Sequence, residues 1–451
     1  MDTLMIVLTE PHGMWESILG AFKGAMGSYI LAVILLAVIV RILFAVVDVV
    51  NKRFSTKNMQ INEKMKPELE AVQKKYGHDK VLLQKKQQEI YKKYQFNMVS
   101  SCLPMLIAMV LQLVVFLTLW TGLQNVSNYN IAKSYENTKT VYYNVLLLNE
   151  DEEIKNCVEG LIASGEDYTI DVNVDFDNMS MTVIVNGVNG EEELNKNITI
   201  IATNPSEEGQ VGVSNETIYN LIKEYAMEEL PVETPSDGEE QDGTSETPET
   251  VPNDLTDYNR VIRTLAEEVT ADYYVDNLES FLWIKNIYKA ESPMTNPVFE
   301  KSEITNYLQK FYSDEEKEIE EANGYEGQIF DYVVAGLERR DLGVNGYFIL
   351  VILAVGTSFL SIFINNKLTK KVSGTQPGGK MMYFIMPLIL GIFTLMYTSL
   401  FAIYIIVGQI MMIALSPLTN LIVKKWIDAS DRRKEKKKQE VIDVDYRRKD
   451  M

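Results

Sequence analysis

Four long stretches of this 451-residue chain are nearly free of charge. They are Tyr29–Val50 (broken only by Arg41 and Asp48), Cys102–Gln124, Tyr347–Asn366 and Met381–Val423. Each has the roughly 20 residues that a helix needs to cross a hydrocarbon core about 30 Å thick. Few soluble folds need four such runs. In lipid the backbone must satisfy its own hydrogen bonds, so the runs are expected to be helices. The net charge of −20 and a mean hydropathy near zero suggest an acidic soluble protein, but they average over a sharply segregated chain. The expected class is an all-α polytopic membrane protein.

Arg41 stands thirteen residues into the first run, roughly 15 Å from either end at 1.5 Å per residue. Its side chain cannot easily snorkel that far, so the charge needs a partner, water or a gap in the lipid wall. An ionisable group at that depth is by default a candidate functional residue. The competing reading is a structural ion pair with Asp48, which at i+7 falls on the same helix face about 10 Å along the axis.

Charge then orients the spans. Residues 51–95 hold 12 Lys/Arg against 5 Asp/Glu. The segment Asn365–Lys380 carries four lysines and no acid, and the tail carries Lys424, Lys425, Arg432, Arg433, Lys434 and Lys436–Lys438. All three should be cytoplasmic by the positive-inside rule. Residues 125–346, with 47 acidic and 14 basic residues, should lie outside. The 43-residue run Met381–Val423 would be roughly 64 Å long as one helix, about two bilayers, and both its flanks are basic. It should cross twice, with a turn near Thr398–Phe401. Five spans result, with the N-terminus outside and the C-terminus in the cytoplasm.

Between the spans the patterns are local. Trp15, Ile18, Leu19 and Phe22 give residues 1–27 one apolar helical face, suited to the outer membrane surface. Ser55–Tyr94 reads as two antiparallel helices turning at Gly77-His78-Asp79, a basic cytoplasmic hairpin. Tyr168–Val185 alternates apolar and polar residues with a turn at Asp177-Asn178, the pattern of a β-hairpin. Thr217–Leu230 reads as a helix, and Pro231–Asp254 as an acidic linker rich in Pro, Glu, Thr, Ser and Gly. Neither His12 nor His78 has a metal-spaced neighbour, and Cys102 and Cys157 fall on opposite sides of a span. The patch of Asp171, Asp175 and Asp177 is better read as a solvated acidic face than as a cation site. No nucleophile–base pair or phosphate loop is present. Neither an enzyme nor a cofactor or metal is expected, and no cleaved signal peptide is read at the N-terminus.

The strings SYILAVILLAVIVR, MKPELEAVQKKY, YKKYQFN, CLPMLI, FLWIKNI, YFILVILAVGTSFL and KMMYFIMPLI, in that order, resemble the YidC-type membrane protein insertases. SYILAVILLAVIVR (Ser28 to Arg41) is similar to that family's first core span, ending at its intramembrane Arg. MKPELEAVQKKY (Met65 to Tyr76) and YKKYQFN (Tyr91 to Asn97) resemble its hairpin, and CLPMLI (Cys102 to Ile107) the start of its second span. FLWIKNI (Phe281 to Ile287), YFILVILAVGTSFL (Tyr347 to Leu360) and KMMYFIMPLI (Lys380 to Ile389) resemble the segment before the third span, that span, and the entry to the fourth. The resemblance implies a five-helix core around a water-filled groove, with Arg41 recruiting polar or acidic tails of nascent membrane proteins. Client helices would leave along Leu103–Leu123 and Met382–Thr398 into the membrane lipids. A ribosome and the Sec translocon are the further partners it implies, and the basic tail suits either ribosomal RNA or anionic lipid.

The departures are local. Ala108 stands where the family often has Gln, with Gln112 one turn later; Ser361 stands where Gln is common; Ile403-Tyr404-Ile405, leading to Gln409, replaces Leu-Tyr-Trp and a following Asn. The expected groove residues are therefore Arg41, Gln112, Ser361, Tyr404 and Gln409, with Asp48 as a partner of Arg41. The outer insert is far longer than the family requires, and its ligand is not legible.

The expected organisation is a segment over 1–27, spans over 28–50, 102–124, 347–365, 381–399 and 400–423, the hairpin over 51–97, a cytoplasmic loop over 366–380 and a basic tail over 424–451. The small α+β extracellular insert occupies 125–346, with its α+β part over 126–230, linker over 231–254 and helical part over 255–346. The alternatives are a small-anion transporter, disfavoured by the lack of an inverted repeat, and a membrane-anchored extracellular binding protein.

Overall fold

The computed structural model describes residues 6, 8–94, 96, 98–147, 169–175, 180–189, 192–201, 214–225, 257–373 and 382–449, with the isolated positions 156 and 159. The linker over 231–254, Cys157 and the Asp177-Asn178 turn lie outside the described residues, as do the side chains of Cys102, Asp171 and Asp175. The described chain is mostly helical and divides into two compact units. One comprises Gly13–Gln124 and Tyr347–Met451, the other Met1–His12 and Asn125–Gly346.

The first unit opens with α1 (Met14–Met26) and α2 (Tyr29–Tyr76). Gly27 ends α1 in the left-handed region (φ 76°), donating its N–H to the Lys23 carbonyl, and the Ser28 side chain accepts from the N–H of Ile30 to start α2. Two residues thus turn the chain sharply. Leu19 of α1 is buried, and Trp15 Nε1 donates to Thr118 Oγ1 at 3.0 Å. The first apolar run and the first hairpin helix are one continuous 48-residue helix, because charge ends a hydrophobic run but does not end an i→i−4 ladder. Asp79 caps α3 (Lys80–Lys93) by accepting from the N–H groups of Val81 and Leu82. Glu68 of α2 accepts from Lys93 at 2.7 Å and from the Tyr94 hydroxyl at 2.8 Å, holding the hairpin closed.

The unit is completed by the first part of α4 (Met98–Leu146) and by α10 (Ile349–Ser373), α11 (Met382–Met396) and α12 (Ser399–Lys449). Helices α2, α4, α10 and α12 are long and apolar enough to cross a membrane, and α11 is a shorter apolar helix. Their surfaces have lipid chemistry. Val33, Leu36, Ala37 and Val40 face inward on α2, while Leu43 and Val46 are 65% and 67% exposed. Leu106, Ile107, Val110 and Val114 of α4, and Ile352 and Phe363 of α10, are likewise exposed. Contiguous apolar surface of that extent is unfavourable in water and neutral in hydrocarbon.

In the second unit α4 continues past Asn125, accompanied by α5 (Asn215–Tyr225), α6 (Asp257–Asp276), α7 (Lys301–Phe311), α8 (Asp314–Asn323) and α9 (Tyr325–Arg339). Strands β1 (Thr169–Asp175), β2 (Ser180–Asn189) and β3 (Glu192–Ile201) form an antiparallel sheet in the order β1-β2-β3. Its register pairs Val172 with Val183 and Thr182 with Thr199. Helices α6 and α9 approach so closely that a Cβ on Gly336 would lie 1.9 Å from the Glu267 carbonyl oxygen. Leu8 bridges Tyr312 within this unit.

The core of this unit holds a buried polar cluster. Lys139 Nζ lies 2.8 Å from Glu136 Oε1 and 3.1 Å from Glu326 Oε2, and it also donates to Asn215. The Tyr312 hydroxyl lies 3.0 Å from Glu136 and 3.1 Å from Glu326. One ammonium cannot neutralise two buried carboxylates. Burial accordingly pushes Glu136 up to about 7, against the attraction of Lys139 and with the Glu326 charge adding to it. A carboxyl that binds its proton more tightly when folded stabilises the fold at low pH. That contribution is lost as pH rises from the ordinary value of 4.5 through about 7. Wild type should therefore lose on the order of 2 kcal/mol relative to Glu136→Gln between about pH 5 and pH 8. Thermal melting of both proteins across that range checks this, and parallel curves would contradict it.

Candidate functional site

Arg41 is near the middle of the apolar part of α2, and its Nη2 lies 3.0 Å from Asp48 Oδ2 on the same helix face. The pair is mostly buried, with side chains 18% and 23% exposed. Both residues line a cavity of about 550 Å³ among α2, α4, α11 and α12. Gln112 reaches it from α4, and Tyr404 and Gln409 from α12. Its remaining wall is apolar, with Ala37, Val40, Leu113, Met386, Leu390 and Phe393 among the contributors. Gly408, which has no side chain, also borders it.

The elements set this geometry in simple ways. Arg41 and Asp48 are seven residues apart, two turns of one helix, so both point into the same space. Tyr404 and Gln409 are separated by little more than one turn of α12. At one end of the cavity the aromatic side chains lock three helices together. Phe116 meets Phe393 and Phe401 edge-on at 5.9 and 5.5 Å, and Trp120 meets Tyr397 at 4.8 Å. Such pairs contribute roughly 0.5–1.5 kcal/mol each beyond their burial.

At the other end, Arg41 and Asp48 also border a second cavity of about 270 Å³, which is more polar. Lys52 Nζ donates there to Thr419 Oγ1 at 3.0 Å and to Asn365 Oδ1 at 3.4 Å. Ser416 donates to the same Asn365 oxygen, and the buried Asn420 completes the wall. Further along, the Arg53 guanidinium sits 3.8 Å from the centre of the Trp426 ring. Hydrogen bonds and a cation–π contact thus tie α2 to α10 and α12 where the apolar runs end.

Of the residues expected from sequence, Arg41, Asp48, Gln112, Tyr404 and Gln409 come together around one cavity. Ser361 does not. It borders neither cavity, and its hydroxyl is buried without a hydrogen-bond partner. On α10 it is Ile362, Asn365 and Asn366 that reach the polar cavity. Sequence reasoning passed over Lys52, Asn365, Ser416, Thr419 and Asn420. Their signal was present, because Lys52 follows Asp48 at i+4, and Ser416, Thr419 and Asn420 interrupt an apolar run at helical spacing. Among the described residues no group of His, Cys, Asp and Glu could hold a metal ion.

Residues 21–153 match the family model described as 60Kd inner membrane protein. The chain is 36% identical over 104 residues to the membrane protein insertase YidC of Oleidesulfovibrio alaskensis, a match covering 23% of this chain and 18% of that protein. It is 35% identical over 80 residues to the YidC of Clostridium tetani, covering 18% of this chain and 34% of the relative. With the YidC of Fusobacterium nucleatum it shares 27% identity over 97 residues, covering 22% of this chain and 45% of that protein. The matches therefore span less than half the length of these relatives. No solved structure matches the chain. The resemblance to YidC-type insertases holds across the first two apolar runs and the hairpin between them, and with the apolar helices it makes this a multi-pass membrane protein.

A polar cavity inside lipid should admit water. Gln409→Cys should react with a small membrane-impermeant maleimide on the order of tenfold faster than Ile410→Cys, because the reactive thiolate forms only where water reaches it. Ile410 is the neighbouring residue, half exposed on an apolar surface. Labelling rates on the full chain in liposomes measure this, and equal rates would contradict a hydrated cavity.

Proposed function

We propose that this multi-pass membrane protein, related over residues 21–153 to the YidC insertases, is itself a membrane protein insertase and chaperone. The observation that carries the reading is the cavity of about 550 Å³ in which Arg41, Gln112, Tyr404 and Gln409 meet between otherwise apolar helices. A static charge pair alone would not need a space of that size beside it.

In this reading α2, α4, α10, α11 and α12 supply a five-helix core, with the N-terminus outside and the C-terminus in the cytoplasm. The polar cavity at Lys52 faces the cytoplasm and the aromatic cluster of Trp120, Tyr397 and Phe401 faces outward. Residues 125–346 form the extracellular insert, in which α+β structure precedes the helical part. A client's short polar tail enters from the cytoplasm, exchanges water for Arg41, Gln112, Tyr404 and Gln409, and has only the outer half of the bilayer left to cross. The client's apolar helix meanwhile leaves along the exposed faces of α4 and α11 into lipid. Polar wall groups lower the cost of desolvating the tail. An inside-negative potential adds up to about 2.3 kcal/mol per acidic charge per 100 mV. Nascent membrane proteins are the substrates, membrane lipids receive them, and a ribosome and the Sec translocon are the proposed working partners.

Protease-protected insertion of a single-span client with a short acidic tail, in proteoliposomes, tests the proposal. The wild-type chain and Arg41→Lys should both insert the client, and Arg41→Ala should lose about tenfold, the weight of one uncompensated charge contact. No insertion above empty liposomes would contradict the function. Equal insertion by all three would retain the insertase and make Arg41 a structural residue.

A further inference from the structure

Three charged residues of α2 that share one cavity alternate in sign: Arg41, Asp48, Lys52. All three border the same polar cavity, and Arg41 and Asp48 also border the larger one. Asp48 therefore lies between two cations, paired with Arg41 at 3.0 Å and one helical turn from Lys52. Lys52 is itself held by neutral oxygens of Thr419 and Asn365. Neutral oxygens do not balance the charge of the ammonium, so Lys52 can pair with a carboxylate.

We propose that Asp48 is a specificity-determining residue that occupies the Arg41 guanidinium as an internal stand-in for a client carboxylate, and that an acidic tail must displace it. This rests on the insertase reading above. When the tail's carboxylate takes Arg41, Asp48 turns one helical turn along α2 to Lys52, so no anion is left unpaired in the cavity. Two physical consequences follow. Tail binding becomes an exchange of one ion pair for another, which removes most of the electrostatic advantage of an acidic tail over a neutral polar one. The resting cavity also carries less net positive charge, which reduces capture of stray anions. Lys52 is a positioning residue in this scheme, acting through Asp48 on Arg41.

The test compares two single-span clients that differ only in the tail, one with two acidic residues and one with two glutamines. Each is inserted into proteoliposomes by wild type, Asp48→Asn and Lys52→Gln. Wild type should insert the two with similar efficiency. Asp48→Asn should raise the acidic-to-neutral ratio about three- to tenfold, the weight of freeing one partly buried cation, and added salt should shrink that gain. Lys52→Gln should lower the ratio below wild type, because displaced Asp48 then has no partner. A purely structural Asp48 would lower insertion of both clients in proportion and leave the ratio unchanged, which would overturn the proposal. Should Asp48→Asn fold poorly, Asp48→Ser supplies the same ratio with a smaller side chain. Wild type failing with both clients would instead overturn the insertase reading.

Discussion

A guanidinium in the middle of an apolar helix constrains everything around it. Left in hydrocarbon, the Arg41 charge would cost several kcal/mol or more. The fold answers with Asp48 two turns away, with polar side chains on α4 and α12, and with space large enough for water. The helices cannot close on Arg41 as they close on one another elsewhere. A cavity with polar groups in its wall is how this helix bundle accommodates the Arg41 charge. Aromatic contacts among Phe116, Trp120, Tyr397 and Phe401 pack the helices together beside that cavity.

The same constraint explains the asymmetry of the cavity. The larger cavity borders the packed aromatic side chains of Phe116 and Phe393, whereas the second cavity, which shares Arg41 and Asp48 with it, is lined by Lys52, Asn365, Ser416, Thr419 and Asn420. A polar chain segment entering from the polar end meets hydrogen-bonding groups before it meets Arg41. On the proposed insertase reading, hydration of that path and the membrane potential would both reduce the work of moving a short tail. The second unit has different physics. It buries Lys139, Glu136 and Glu326 in its core, where their contacts join α4 to α9 and α5.

Much of this was legible in the sequence because lipid imposes a strong pattern. Uncharged runs marked the long apolar helices, Arg41 borders the larger cavity, and Gly77 and Asp79 stand at the turn between α2 and α3. The ends of helices were less legible. Helices α2, α4 and α12 run well beyond their apolar stretches, since hydrogen bonding continues through residues that are simply soluble. Ser361 was expected in the groove by analogy of position, but the residues of α10 that line the polar cavity are Ile362, Asn365 and Asn366. Strand β3 was missed because its first half, Glu192–Asn197, is polar and lacks alternation. The buried ion cluster was invisible for a different reason. Glu326 lies 187 residues from Lys139, and nothing local distinguishes it from the many solvated acids around it.

The central claim is that a client's polar tail passes through the cavity that Arg41 keeps open. Site-specific photocrosslinking during insertion tests it most directly. A photoreactive side chain is placed at Gln112 or Gln409 in the cavity, at Phe359 or Leu418 on exposed apolar surfaces, and at Met294 in the second unit. Crosslinks from the client tail should form at Gln112 and Gln409 and be absent from Phe359 and Leu418. Crosslinks confined to Met294, or equal at all five positions, would contradict passage through the cavity.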